Sequence, residues 1–122
     1  MTKKILIFED EPKNRKLLRD LFERFGYETI VAADGEQGIE LIMARKPDLI
    51  LMDIMMPKID GLRAARLIKT NSATKNIPVL ALTAYAMSGD REHALEAGCN
   101  EYITKPFDIN GLLKTVGQYL SG

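Results

Sequence analysis

The sequence predicts an α/β fold, a doubly wound parallel sheet of five strands with five helices on its two faces. Three observations carry this. Short continuous apolar runs, the pattern of strands buried on both faces, alternate with amphipathic stripes of helical spacing along the chain. Cap and breaker residues stand where one period gives way to the other. The length of 122 residues and mass of 13.7 kDa suit one domain. A folded surface of roughly 6,600 Å² against about 20,000 Å² for the extended chain leaves a core that needs no staples.

Each element follows in turn. Ile5–Phe8 is the first strand. Pro12 suits the first turn of the helix that follows, and Leu17, Leu18, Leu21, Phe22 and Phe25 mark one face of it before Gly26 ends it. Thr29–Ala33 reads as the second strand. Asp34 with Gln37 resembles a capping box opening a helix whose stripe is Ile39, Ile42 and Met43. After Pro47-Asp48, Leu49–Met52 is the third strand. Asp60 can cap a helix carrying Leu62, Ala65 and Ile68 on one face. Pro78 opens the fourth strand, Val79–Leu82, and a short polar helix runs from Ser88 to Ala97 before Gly98. Tyr102–Thr104 is the fifth strand. Asp108 caps a last helix bearing Leu112, Leu113, Val116 and Leu120.

Composition removes several functions. The 17 basic residues balance 17 acidic ones, which argues against coating nucleic acid or anionic membrane by bulk charge. Charged residues at 28% and hydrophobic ones at 46% exclude disorder and collagen-like repeats. Cys99 is the single cysteine, so no intrachain disulfide forms, and a quiet thiol in a reducing compartment is expected. The apolar run after Lys3-Lys4 stops at Glu9-Asp10-Glu11, too short for a secretory segment, and no run approaches a membrane span. A cytoplasmic location is expected.

In such sheets ligands sit at the carboxyl ends of the strands, at a topological switch point. Polar residues gather at those ends: Glu9 and Asp10 after the first strand, Asp53 after the third, Thr83 after the fourth and Lys105 after the fifth. Taken singly, Asp10 or Glu11 could cap the first helix, Asp53 could be solvated and Lys105 exposed. Taken together, three carboxylates repel one another and call for a cation. Mg²⁺ accepts one or two carboxylates and keeps waters for its other positions. It also bridges carboxylate and phosphoryl oxygens, while Thr83 can donate to a phosphoryl oxygen and Lys105 can neutralise another. The set is an electrostatic cradle for phosphoryl transfer onto an aspartate.

At these residues the chain resembles the receiver domain of two-component response regulators. The resemblance rests on Lys4–Glu11 (KILIFEDE), Pro47–Gly61 (PDLILMDIMMPKIDG), Pro78–Ala84 (PVLALTA) and Gly98–Phe107 (GCNEYITKPF), in that order, and covers essentially all of residues 1–122 as one domain. It implies the flavodoxin-like strand order 2-1-3-4-5. It implies that Asp53 accepts a phosphoryl group from a histidine kinase or histidine phosphotransfer protein. Glu9 and Asp10 match the acidic pair that holds Mg²⁺ together with Asp53 and the carbonyl of Met55. Thr83 matches the switch hydroxyl, Tyr102 the aromatic switch residue and Lys105 the phosphate-pairing lysine. The Lys105–Pro106 bond matches a cis peptide of the family. The signalling surface would comprise the helix from about Ser88, the fifth strand and the last helix, and would meet a protein effector. The segment Thr83–Gly98 (TAYAMSGDREHALEAG) resembles single-domain regulators of the DivK type, in keeping with a stand-alone phosphoacceptor rather than an enzyme acting on other molecules. The chain stops soon after the last helix, so a DNA-binding output domain is not expected.

The sequence departs from the family pattern in places. Phe8 stands where a small β-branched residue is common, which should tighten packing behind the acids. The acidic pair is Glu-Asp, with the longer Glu9 expected to act through water. Met55 and Tyr85 are bulky, and their position suggests hindered attack by water and slow self-dephosphorylation. His93 on the polar helix and Lys13–Lys16 on the first helix read as solvated, although in receivers the latter face meets the phosphodonor. The six methionines read as core and pocket rim. Two other contexts remain: a receiver excised from a hybrid histidine kinase or larger regulator, and a phosphatase working through an aspartyl phosphate. The phosphatase needs a second acid two positions after the nucleophile, where this chain has Met55. An FMN-binding protein would need a phosphate-cradling loop where Glu9-Asp10-Glu11 stands.

Overall fold

The computed structural model describes residues 2–9, 11–53, 61–83, 90–104 and 108–120. Strands β1 (Lys4–Phe8), β2 (Glu28–Ala32), β3 (Leu49–Asp53), β4 (Val79–Thr83) and β5 (Glu101–Thr104) alternate with helices α1 (Pro12–Arg24), α2 (Gly35–Arg45), α3 (Gly61–Thr70), α4 (Asp90–Glu96) and α5 (Ile109–Leu120). The sheet is parallel throughout, in the order β2-β1-β3-β4-β5.

Two apolar layers explain why the strands read as unbroken apolar runs. Leu6, Phe8, Ile50 and Met52 pack with Ile42 of α2, Ala64 and Ile68 of α3 and Ala94 of α4. Ile5, Ile7, Leu49 and Leu51 pack with Leu18 and Phe22 of α1 and Leu112 and Val116 of α5. Successive strand residues therefore feed opposite faces, and both faces are covered.

Local hydrogen bonds set the boundaries. Glu11 caps α1 by accepting the Lys13 N–H at 3.0 Å, with Pro12 in the first turn. Gly26 follows the helix with φ +91°, a conformation open to glycine. Asp34 Oδ1 accepts the Gln37 N–H, and Gln37 Oε1 accepts the Ala33 N–H, both at 2.9 Å. The predicted box thus reaches one residue further back than the usual form. It also ends β2 at Ala32, because the Ala33 amide is taken. Asp108 Oδ2 accepts the Gly111 N–H at 3.1 Å and caps α5. The predicted cap Asp60 lies outside the described residues.

Three differences from expectation have plain causes. β3 and β4 run one residue further, because Asp53 pairs with Leu82 and Thr83 with Thr104. α4 ends at Glu96, one residue before the expected Ala97, as Gly98, at φ +106°, turns the chain into β5, while its expected start at Ser88 lies outside the described residues. The α1 stripe is only half used. Leu18 and Phe22 are buried, but Leu17 and Phe25 are 57% and 58% exposed. Periodicity defines a stripe without saying how much of it a neighbour covers.

Candidate functional site

From β1 the chain crosses to β2 on one side, and from β2 it returns past β1 to β3 on the other. The switch point therefore lies between β1 and β3. Phe8 pairs with Met52, so Glu9 and Asp53 come next on neighbouring strands. The two carboxylates share a face. Ile5 and Ile7 of β1, and Leu49 and Leu51 of β3, line the layer under α1 and α5. Two-residue periodicity sends Glu9 and Asp53 to that same side.

Both acids are withdrawn from solvent, Glu9 at 1% and Asp53 at 9% exposure. Glu9 is held at three points. Its N–H donates to the Ala32 carbonyl at 3.0 Å, its carbonyl accepts Arg15 Nη1 at 2.9 Å, and its Oε2 accepts the Glu11 N–H at 3.3 Å. Side-by-side buried carboxylates are costly unless a cation or donors offset them. Both are hard oxygen donors, the ligand type that Mg²⁺ takes.

The other predicted residues fall as follows. Thr83 closes β4 opposite Thr104, its backbone at the same sheet edge. Tyr102 pairs with Ala81 on β5, is half-buried, and packs against the layer under α2, α3 and α4. It therefore lies on the opposite face of the sheet from Asp53. Asp10, Met55, Lys105 and Pro106 lie outside the described residues, as do Tyr85 and Ser88. Among the described residues no group of three acids, histidines or cysteines converges on a metal position.

Sequence reasoning missed Arg15. It belongs to the stretch read as solvated, yet its guanidinium turns back onto the Glu9 carbonyl. Its place one turn into the helix that follows the acids was the available signal. The contact between Phe8 and Gly38 of α2 was also missed, since 30 residues separate the two.

Away from the site, burial pushes the Cys99 thiol up to about 11, against a partial opposing pull from the Lys69 ammonium. Burial also lowers the pKa of Lys69, whose Nζ donates to the Ile77 carbonyl at 2.7 Å. Such a thiol is a poor nucleophile. His93 is exposed on α4. On the outer side of α1, Leu17, Asp20, Leu21, Arg24 and Ile109 line a groove of about 280 Å³. No helix among the described residues is long and apolar enough to cross a membrane.

Residues 5–117 match the family described as the response regulator receiver domain. The chain is 43% identical over 120 residues to the polar-differentiation response regulator DivK of Brucella ovis, with 98% of each chain covered. It is similar to a signal receiver domain of a signal transduction histidine kinase from Syntrophus aciditrophicus, with a TM-score of 0.93 at 34% identity, covering 99% of this chain and 92% of that one. The receiver domain of a sensor histidine kinase from Pseudomonas aeruginosa, solved with a magnesium ion coordinated in its active-site cleft, gives a TM-score of 0.91 at 34% identity, with both chains fully covered (100%).

Proposed function

Because this chain belongs to the response regulator receiver domain family, a family of two-component signalling proteins, we propose that it accepts a phosphoryl group on Asp53 from a histidine kinase or histidine phosphotransfer protein. The observation that carries the reading is the pair of buried carboxylates, Glu9 and Asp53, at the switch point between β1 and β3. A carboxylate oxygen of Asp53 attacks phosphorus, the bond to the donor imidazole nitrogen breaks, and the imidazole leaves. Glu9, Asp10, Asp53 and the Met55 carbonyl would hold Mg²⁺, which offsets the charge that gathers on the phosphoryl oxygens. Thr83 donates to one of those oxygens and Lys105 neutralises another. The likeness to a receiver solved with magnesium supports the metal.

Hydrolysis of the acyl phosphate ends the signal, so the chain turns over its own modification rather than a separate substrate. Met55 and Tyr85 slow that hydrolysis by crowding the water. The phosphorylated state is read by a protein effector at α4, β5 and α5, through Thr83 and Tyr102. The phosphodonor meets the α1 side, where the exposed Leu17 and the groove reaching Ile109 offer apolar contact beside Lys13 and Lys16. A stand-alone, cytoplasmic, DivK-like regulator of residues 1–122 that binds neither DNA nor membrane fits the near-complete mutual coverage with DivK. A second context, the receiver of a hybrid kinase, is favoured by the likeness to kinase receivers. Reading the codons that flank this chain separates the two.

The test is phosphotransfer from a panel of histidine kinases with Mg²⁺, comparing wild type with Asp53→Asn. Labelling is expected only with Asp53 and only while the metal is present. Equal labelling of the Asn variant would refute the phosphoacceptor assignment, and labelling that survives chelation would remove the metal from it.

A further inference from the structure

We propose that the outer face of α2 and α3 is a dimer interface, on which a second copy of this chain seats its α2 over α3 and its α3 over α2. The proposal does not depend on the phosphoacceptor reading.

The face carries an apolar groove of about 190 Å³ between the two helices, lined by Ile39, Ile42 and Ile68 and flanked by Met43 and Leu67. Met43 and Leu67 are 47% and 46% exposed. Two large apolar side chains beside an apolar hollow mark a contact surface, unlike apolar residues scattered singly. The two walls of the groove differ in charge. The exposed Glu36 and Glu40 stand one turn apart on α2, on the same side of the helix as Met43. The exposed Arg63 and Arg66 stand on α3 beside Leu67. Among the described residues, Glu36, Glu40 and Arg66 take part in no salt bridge.

The helices are parallel, because both return over the same face of a parallel sheet. They are also nearly level. Asn71, just past α3, has Nδ2 4.0 Å from Met43 Sδ of α2. Glu40 lies three residues before Met43 and Arg66 five before Asn71. At a helical rise of 1.5 Å per residue, Glu40 and Arg66 differ in height by only about 3 Å.

These features select the second copy as occupant and fix its symmetry. A two-fold axis along the groove carries each α2 onto the partner's α3 without changing its height. Glu40 of one copy then meets Arg66 of the other, and the contact is made twice. An axis across the groove would stack acid on acid and base on base instead. The formal net charge of zero leaves no overall repulsion between copies. With helices of 11 and 10 residues the face is only about 16 Å long, below the size of a standard interface. The dimer is therefore weak, with an expected dissociation constant of about 10–300 µM. α1 and α5 cover the opposite face of the sheet and stay outside the interface.

The test is sedimentation equilibrium of the whole, unphosphorylated chain from about 10 µM to about 1 mM, at low and high KCl. Wild type should dimerise, and less so at high salt. Glu40→Arg and Arg66→Glu each place like charges together twice, so each alone should weaken the dimer by at least about fivefold. An equimolar mixture of the two variants should associate at least as well as wild type, because both crossed contacts are then opposite in charge. Leu67→Ser tests the apolar part and should also weaken the dimer by at least about fivefold. A wild type that stays monomeric to about 1 mM overturns the proposal and leaves the groove to a different partner. A dimer indifferent to the reversals, or one that the mixture does not restore, uses another face or another symmetry, and either result overturns it as well. Should one reversal not fold, Glu40→Lys or Arg66→Asp takes its place against the same expectation.

Discussion

A methyl group added to Gly38 would lie 2.8 Å from Phe8 Cδ1 and closer still to Cε1 and Cζ, so Gly38→Ala should destabilise a helix position that alanine normally favours. Carbon contacts settle near 3.5–4.0 Å, so the ring would have to retreat by about 1 Å or more. It has little room to do so, because Phe8 is 1% exposed and stands on a strand flanked by β2 and β3. Overpacking of this kind costs about 1–3 kcal/mol, while alanine in place of glycine returns about 1 kcal/mol of helix propensity. The net expectation is a loss of up to about 2 kcal/mol, or a Tm lower by up to roughly 10 °C. Gly117 of α5 is the internal control: nothing lies within 4 Å of a Cβ built there. Gly117→Ala should therefore stabilise by about 0.5–1 kcal/mol. Chemical denaturation of both variants, and of Phe8→Val alone and combined with Gly38→Ala, completes a double-mutant cycle. Phe8→Val should cost at least about 1 kcal/mol less in the Gly38→Ala background than in wild type. If Gly38→Ala stabilises as Gly117→Ala does, or if Phe8→Val costs the same in both backgrounds, the contact does not constrain this core.

Two further outcomes are expected. The Cys99 thiol titrates higher in the fold than its usual 9.0, near 11, so the stability it contributes is complete below about pH 9 and is lost as pH rises towards 11. Lys69, lowered by burial, works in the opposite direction, so the comparison that isolates the thiol is wild type against Cys99→Ala. Wild type should lose up to about 3 kcal/mol more than the Ala variant across that window, and parallel stability curves would remove the thiol from the account. Tyr102→Ala should keep phosphoryl acceptance at Asp53 and lose the phosphorylation-dependent gain in effector binding, measured as the ratio of affinities with and without phosphorylation. An unchanged ratio would take Tyr102 out of the switch.

What could be read from the sequence was whatever short range decides. The strand runs are continuous because both faces are covered, and Ile5–Phe8 and Leu49–Met52 showed this without any partner being known. The caps at Asp34 and Asp108 were legible because a side chain three residues from its amide needs only local geometry. The acids at the strand ends were legible because strand order alone makes Glu9 and Asp53 neighbours. Quantities set by distant surfaces could not be read. Leu17 and Phe25 carry the right spacing for burial, yet both stay more than half exposed, at 57% and 58%. Arg15 looked like one more cation on a polar face, since its reach to Glu9 depends on how α1 settles on the sheet. Gly38 looked like a weak point in α2 until the ring of Phe8 supplied its reason.

The parity of the strands also constrains any switch in this molecule. Asp53 belongs with the residues that face α1 and α5, whereas Tyr102 packs against the layer under α2, α3 and α4. A charge placed on Asp53 cannot push directly on Tyr102, because the sheet lies between them and its strands are hydrogen-bonded along their length. Among the described residues, β4 and β5 end side by side at the carboxyl edge of the sheet, where Thr83 and Thr104 pair with one another. Any coupling of Asp53 to Tyr102 has to cross from one face of the sheet to the other. Under the proposed function the readout surface of α4, β5 and α5 spans both faces of the sheet, since α5 shares the α1 face and α4 lies on the other.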